Sequence, residues 1–372
     1  MHTRHQRRVW LFGIALLVLG AALLVFGLGI GSTGFESLLA ARHDPVALQI
    51  VWDIRLPRTL GAWLAGALLG LGGAVAQGLF RNPLADPYLL GSASGASLGV
   101  AVALMLFGGS VAQGLFRNPL ADPYLLGSAS GASLGVAVAL LLFGGSAAST
   151  QWAMRLGLTG AAFVGAVLAV MLTLVLARGV QQTLRLLLAG VIVGVVLGAA
   201  KDLITIASAD ILQAIQGFIL GSTGLVGWSA CAVMAAVGAV CLLLGWALAP
   251  VLDGLALGEA TARSLGLPLG AMRATLVVVL ALATGAAVAQ TGLIAFVGLA
   301  APHLVRSVVK TTHAGLIVLS AAMGGLLLMA ADLLARWLIA PQELPVGVLT
   351  AVLGGSYLLW LMHRRGARGG VA

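Results

Sequence analysis

The sequence predicts an all-α polytopic membrane protein, with about ten transmembrane helices at roughly 20 apolar residues per span. Three observations carry this reading. Of 372 residues, 60% are hydrophobic and only 8% are charged, with a mean hydropathy of +1.10, whereas a soluble domain carries roughly 25% charged residues. The apolar residues fall in runs of spanning length. The 52 glycines, with many alanines, suit close helix–helix contact in lipid.

Residues 9–30 form the first span. The run exceeds the roughly 7–15 residues of a signal-peptide core, and no small-residue cleavage site clearly follows. It is expected to remain in the protein, with Arg4, Arg7 and Arg8 holding its start inside. A polar segment, 31–57, follows outside, and its stretch 46–54 is expected on the membrane surface. The second span covers 58–80. Arg81-Asn-Pro-Leu-Ala-Asp-Pro87 is a turn, because two nearby prolines break a helix, and a third span starts near Tyr88. Later spans cover 156–176, 184–206, 228–248, 272–290, 294–309, 315–338 and 346–362. Residues 209–224 have short helical character outside, and 341–345 form an outer turn. No linker or low-complexity tract divides the chain, so 1–372 is expected to be a single domain.

One feature departs from a simple series of spans. Residues 75–110 recur as 111–146, 36 residues with one change, Met105 against Leu141. Such identity marks a recent tandem duplication or an error in the assembled sequence. The 29 residues between the two RNPLADP turns (88–116) are too few for two spans of about 20 each. A single span would invert everything that follows. A re-entrant hairpin bent near Gly108-Gly109 returns both turns inside, which membranes tolerate when protein buries the backbone. With that hairpin, four of the twenty Lys and Arg, namely Arg42, Arg55, Arg58 and Arg155, fall outside, and Lys201 and Arg336 lie near outer span ends. The other fourteen collect inside, a strong positive-inside bias that places both termini in the cytoplasm. The net charge of +9 is thus topological and does not indicate nucleic acid.

Polar residues concentrate in 250–268, between two apolar stretches. Asp253, Glu259, Thr261, Arg263 and Ser264 lie here, and Glu259 and Arg263 are spaced i,i+4 in the favourable order. Gly266 is placed to cap a short helix and Pro268 to stop it. This is either an ordinary polar loop or a structured element at the cytoplasmic surface that a partner holds. Lys201 and Asp202 sit inside an apolar span near its outer mouth, as pathway residues or as partners that neutralise one another. Asp332 and Arg336 form a second i,i+4 pair, most simply a helix salt bridge. His303 follows Pro302 at a helix end, where capping or packing outweighs metal or haem ligation. Cys231 and Cys241 lie ten residues apart in one helix, about 15 Å of rise and too far for a disulfide. No nucleotide-binding GxxxxGK[ST], catalytic triad or HExxH motif occurs, so an enzyme is not expected. Gly73–Leu79 and Gly285–Leu293 echo one another, as in transporters built from two related halves or by chance in Ala/Gly-rich helices.

Several motifs together resemble one family. They are Arg55-Leu-Pro-Arg-Thr-Leu60, the NPLADPYLLG turn, Arg185-Leu-Leu-Leu-Ala-Gly190, residues 255–267, GLIAFVGLAAPHLVR at 292–306, and Glu343-Leu-Pro-Val-Gly-Val-Leu-Thr350. The chain resembles the FecCD-type permeases of bacterial ABC importers for iron–siderophore, haem and vitamin B12. The resemblance implies the type II importer arrangement in the bacterial inner membrane, a homodimer with its pathway on the two-fold axis, two cytoplasmic ATPase subunits that bind ATP and Mg, and a periplasmic substrate-binding protein. The cargo would be a metal chelate; no covalently bound cofactor or resident metal is implied. It also implies ATPase coupling through Leu255, Leu257, Gly258, Glu259, Arg263, Leu265 and Gly266. Binding-protein docking would use Arg55, Arg58 and Arg336. A cytoplasmic gate would lie at Asn82 and Leu84, or their copies Asn118 and Leu120, and at Thr183. Leu184 departs from a polar residue in the vitamin B12 permease. The 36-residue duplication departs from the single copy of typical members. The reading from another class is an ion-coupled transporter or channel, with Lys201 and Asp202 as coupling residues and no ATPase.

Overall fold

Apolar runs become helices in this chain because a membrane leaves backbone groups to be satisfied within their own segment. The computed structural model describes residues 2–31, 34–35, 44–81, 128–143, scattered positions between 157 and 176, 183–207, 209–264 and 269–369. In order these form α1 (His2–Gly29), a two-residue antiparallel pair β1 (Ile30–Gly31) and β2 (Gly34–Phe35), α2 (Pro45–Ile50), a π-helical turn (Val51–Arg55), α3 (Leu56–Leu79), α4 (Ser128–Phe143), α5 (Thr183–Ala207), α6 (Ala209–Leu220), α7 (Trp228–Ala247), α8 (Ala249–Ala256), α9 (Glu259–Ser264), α10 (Leu269–Thr291), α11 (Val297–Val308), α12 (His313–Trp337) and α13 (Val346–Gly369). Among the described residues, five helical stretches are long and apolar enough to cross a membrane: Gln6–Gly29, Pro45–Leu79, Trp228–Ala247, Leu269–Thr291 and His313–Trp337.

α3 is the centre. It packs on α12, α10, α11, α7 and α1, and its residues from Gly61 to Gly78 are largely buried. Its surface is cut low by glycine. A side chain at Gly66 or Gly70 would strike the carbonyls of Gly324 and Ser320 on α12, and one at Gly324 would strike Gly66 in return. Gly73 meets the backbone of Gly298 on α11 in the same way. The four-residue spacing of Gly66 and Gly70 puts both on one helix face, so two backbones approach without side chains between them. α1, by contrast, exposes Trp10, Leu11, Ile14, Leu17 and Val18, as a helix at the periphery of a membrane bundle does.

A second core is smaller. Val136, Ala137 and Leu140 of α4 bury against Ile211 and Ile215 of α6. α4 belongs to the second copy of the duplication; the corresponding residues of the first copy, and the expected re-entrant hairpin, lie outside the described residues.

Residues 46–54 are helical and run through the π-helical turn into α3, with Asp44 Oδ1 accepting from the Val46 N–H at 2.9 Å. The Trp52 and Trp228 rings lie with centroids 5.2 Å apart at a tilt of 41°, and the Trp228 indole N–H donates to the Trp52 carbonyl at 3.1 Å. The expected span 294–309 is a 12-residue helix, α11, preceded by a buried non-helical segment, 292–296. Positive φ at Gly292 (71°) and Phe296 (68°) ends the helical path there, and Leu293 N bonds the Phe218 carbonyl at 2.9 Å. The polar stretch 250–268 holds two helices rather than one, α8 and α9, separated where Gly258 takes φ 112°. The β1–β2 pair is a minimal exception to an all-helical chain. Cys231 and Cys241 are buried free thiols, bonded to the Pro57 carbonyl (3.1 Å) and the Val279 carbonyl (3.6 Å) respectively.

The seam makes a direct prediction. Gly66→Val forces α3 off α12 and is expected to cost about 1–3 kcal/mol or more by overpacking. Gly355→Ala, where none of the described residues lies within 4 Å of the added methyl, is expected to leave stability unchanged. Thermal unfolding of the two purified variants in one detergent checks both.

Candidate functional site

α3 and α12 carry polar groups at both ends. Arg58 and Gly78 are 20 residues apart on α3, about 30 Å of helix rise, and α12 runs from His313 to Arg336 alongside. A charge cluster gathers at the Arg58–Arg336 end, and the surface helices α8 and α9 lie at the Gly78–His313 end.

The charge cluster centres on Asp332, whose side chain is fully buried. Oδ1 accepts from Arg58 Nε (3.3 Å) and Nη2 (3.2 Å) and from the Thr223 hydroxyl; Oδ2 accepts from Arg336 Nη2. Arg58 also donates from Nη1 to Glu343 at 2.9 Å, and Arg336 donates to Thr59 Oγ1 (3.0 Å) and the Gly27 carbonyl (3.4 Å). Two guanidiniums face two carboxylates, so the cluster is neutral. A buried carboxylate is tolerated only when paired and fully hydrogen-bonded, and Asp332 meets both conditions. The cluster joins the ends of α1, α3 and α12 to the loops before α7 and before α13. Arg55 adds a bond from Nη1 to the Leu28 carbonyl at 3.3 Å.

The expected docking arginines therefore differ in their surroundings. Arg336 is buried, with 3% of its side chain exposed, and its charge is engaged within the chain. Arg58 keeps a 12% exposed side chain beside the 35% exposed Glu343, and so faces outward more than Arg336 does. The i,i+4 pairing of Asp332 with Arg336 was legible in sequence. The contributions of Thr223, Glu343, Thr59 and Gly27 carried no local signal.

At the other end α8 buries Val251, Leu252, Gly254 and Leu255 against α3 and α12. Leu255 is thus a core residue, whereas Leu257 is 71% exposed. α9 rests on α8 through the buried Ala262. Glu259 and Arg263 lie on α9, but their side chains, with all of Leu265 and Gly266, are outside the described residues. Asp253 Oδ1 accepts from the His313 backbone N–H at 3.1 Å and lies 2.6 Å from His313 Nδ1. Sequence reading placed Asp253 in the stretch but had no sign of its partner 60 residues away.

Lys201 Nζ and Asp202 Oδ1 lie 2.6 Å apart on α5, so the pair neutralises itself. Asn82, Leu84, Asn118 and Leu120 lie outside the described residues; Thr183 begins α5, its side chain undescribed. His303 Nδ1 lies 2.7 Å from the Tyr357 hydroxyl, joining α11 to α13. Among the described residues no group of three or more His, Cys, Asp or Glu is placed to hold a metal.

Comparison with known proteins follows the same outline. The profile of the FecCD transport family matches residues 14–111 and 107–364, and the two matches overlap where the duplicated copies meet, at 110/111. The vitamin B12 import system permease proteins BtuC of Salmonella schwarzengrund (strain CVM19633) and Salmonella typhimurium (strain LT2) are each 36% identical over 362 residues, covering 96% of this chain and 97% of theirs. A solved structure described as an inward-facing conformation of a metal-chelate type ABC transporter superposes with a TM-score of 0.68 at 24% identity, over 95% of this chain and 99% of that one. It supports the fold.

The charge cluster predicts a graded mutational response. Asp332→Ala leaves Arg58 and Arg336 without their buried counter-charge and is expected to cost about 3–5 kcal/mol. Glu343→Gln removes a half-exposed partner and is expected to cost under about 1 kcal/mol. Asp332→Ala with Arg336→Met is expected to recover part of the loss. Unfolding midpoints of the three purified variants measure this order.

Proposed function

Since this chain belongs to the FecCD transport family, we propose that it is the permease subunit of an ATP-binding-cassette importer that moves a metal chelate, cobalamin foremost, across the bacterial inner membrane. The observation that carries the reading is the 36% identity to vitamin B12 permeases over 96% of the chain. The whole chain acts as one transmembrane domain in the type II arrangement, with both termini cytoplasmic. It carries no GxxxxGK[ST] motif, so ATP and Mg are bound and hydrolysed on partner subunits and the chain performs no covalent chemistry.

The parts take these roles. Two copies of the chain assemble around the pathway, two ATPase subunits dock on α8 and α9, and a periplasmic binding protein docks at the Arg58 end. Exposed Leu257 and the α9 surface around Glu259 and Arg263 meet the ATPase. Buried Leu255 anchors the element to the spans. Arg55 and Arg58 meet acidic groups of the binding protein, and Arg336 supports Arg58 through their shared Asp332. The gate lies at the RNPLADP turn, Asn82 and Leu84 or Asn118 and Leu120, with Thr183. ATP-driven motion of α8 and α9 switches the cavity between outward and inward opening.

Reconstitution separates this from an ion-coupled carrier. Proteoliposomes holding the chain, its ATPase subunits and its binding protein are expected to take up cyanocobalamin only with ATP. Uptake by the chain alone under an ion gradient would overturn the importer reading. Glu259→Arg with Arg263→Glu is expected to lower ATPase association and uptake together, by about tenfold for 1.4 kcal/mol of lost contact. Uptake and ligand-stimulated ATPase unchanged in that variant would refute the docking surface.

A further inference from the structure

We infer that Asp253 and His313 form the joint through which movement of the surface helices reaches the spans. The inference rests on the importer reading above and adds to it a route for the force. Among the described residues α9 packs chiefly on α8, so a push on α9 is passed on through α8. The apolar face of α8, Val251, Leu252 and Leu255, packs without direction. Asp253 supplies a directional tie. Its one carboxylate oxygen holds both the backbone N–H (3.1 Å) and the ring Nδ1 (2.6 Å) of His313, the first residue of α12. The first N–H groups of a helix have no partner within it, and a carboxylate there is favoured by the helix dipole. Asp253 is thus a cap for α12 contributed by a different helix.

The His313 ring also reaches α3. A methyl at Gly78 would lie 3.0 Å from its Cδ2, 3.1 Å from its Nε2 and 3.2 Å from Leu252 Cδ1. One imidazole therefore sits between α8 and the last turn of α3. Three residues beyond Gly78, Arg81 turns left-handed with φ 50° and the chain enters the RNPLADP sequence. A displacement of α8 carries His313 with it and presses on α3 just ahead of that turn. Asp253 and His313 are positioning residues: they touch no cargo, and they set how much of the ATPase stroke arrives at the spans.

The test measures cyanocobalamin transported per ATP hydrolysed, using the complete complex in proteoliposomes with Cys231→Ala and Cys241→Ala as the parent. Asp253→Ala and His313→Ala are expected to lower that ratio about tenfold, within the range for residues along a coupling route, while ATPase association stays at the parental value. Gly78→Ala, which crowds the ring without removing either partner, is expected to lower it as well, and serves if the alanine variants fail to assemble. Asp253→Cys with His313→Cys is expected to start low and recover when a short bifunctional thiol reagent bridges the pair. A parental ratio in the single variants and Gly78→Ala, or a bridged pair that stays uncoupled, overturns the joint and leaves the importer reading standing. A parent with no ATP-driven cyanocobalamin uptake overturns that reading, and the joint with it.

Discussion

The backbone-to-backbone seam between α3 and α12 is the constraint on which the rest of the molecule depends. Gly66 and Gly70 lie against Ser320 and Gly324 with no side chain between. Lipid-facing helices gain no hydrophobic energy from meeting one another, so close packing must supply the association. Because the seam is tight, α3 and α12 behave as one body, and whatever is attached to its ends is held in a fixed relation. Arg58, Asp332 and Arg336 are attached at one end, and Gly78 and His313 at the other. The remaining spans are arranged around this pair: α10, α7 and α11 close on α3, and α1 lies along the outside.

The two ends solve the same problem differently. At the Arg58 end, charges are buried and must cancel. Asp332 sits between two guanidiniums, and Glu343 balances the count. Such a cluster is costly to form and costlier to break, which suits a fixed fastening of five chain segments. At the other end the polar pair is only partly buried, with Asp253 42% exposed. The structure thus sets a buried, neutralised charge cluster and a partly exposed polar tie on opposite ends of one helical body.

Hydropathy made much of the fold legible. The runs 228–248, 272–290 and 315–338 became α7, α10 and α12 within a few residues, because an uninterrupted apolar stretch of that length has few other solutions in a membrane. The 292–296 segment was not legible, since a buried extended segment and a buried helix have the same composition; Gly292 and the left-handed Phe296 decide it. α8 was missed as a separate helix because the break at Gly258 is a backbone choice that glycine permits but does not require. Among site residues, Asp332 and Arg336 announced themselves by spacing. Arg58 pairs with Asp332 across 274 positions, and Asp253 with His313 across 60; only the folded chain brings these together. The duplicated copies were plain in sequence, yet their identity removes any basis for assigning one copy a role.

The glycine seam requires α3 and α12 to move as one unit between the Arg58 cluster and α8. Spin labels at Leu64→Cys on α3 and Ala322→Cys on α12, in the Cys231→Ala, Cys241→Ala background, report their separation through dipolar broadening in the complete complex. The account predicts identical broadening in the nucleotide-free and ATP-bound states. A change in broadening between those states would show the two helices sliding or parting, and would contradict it.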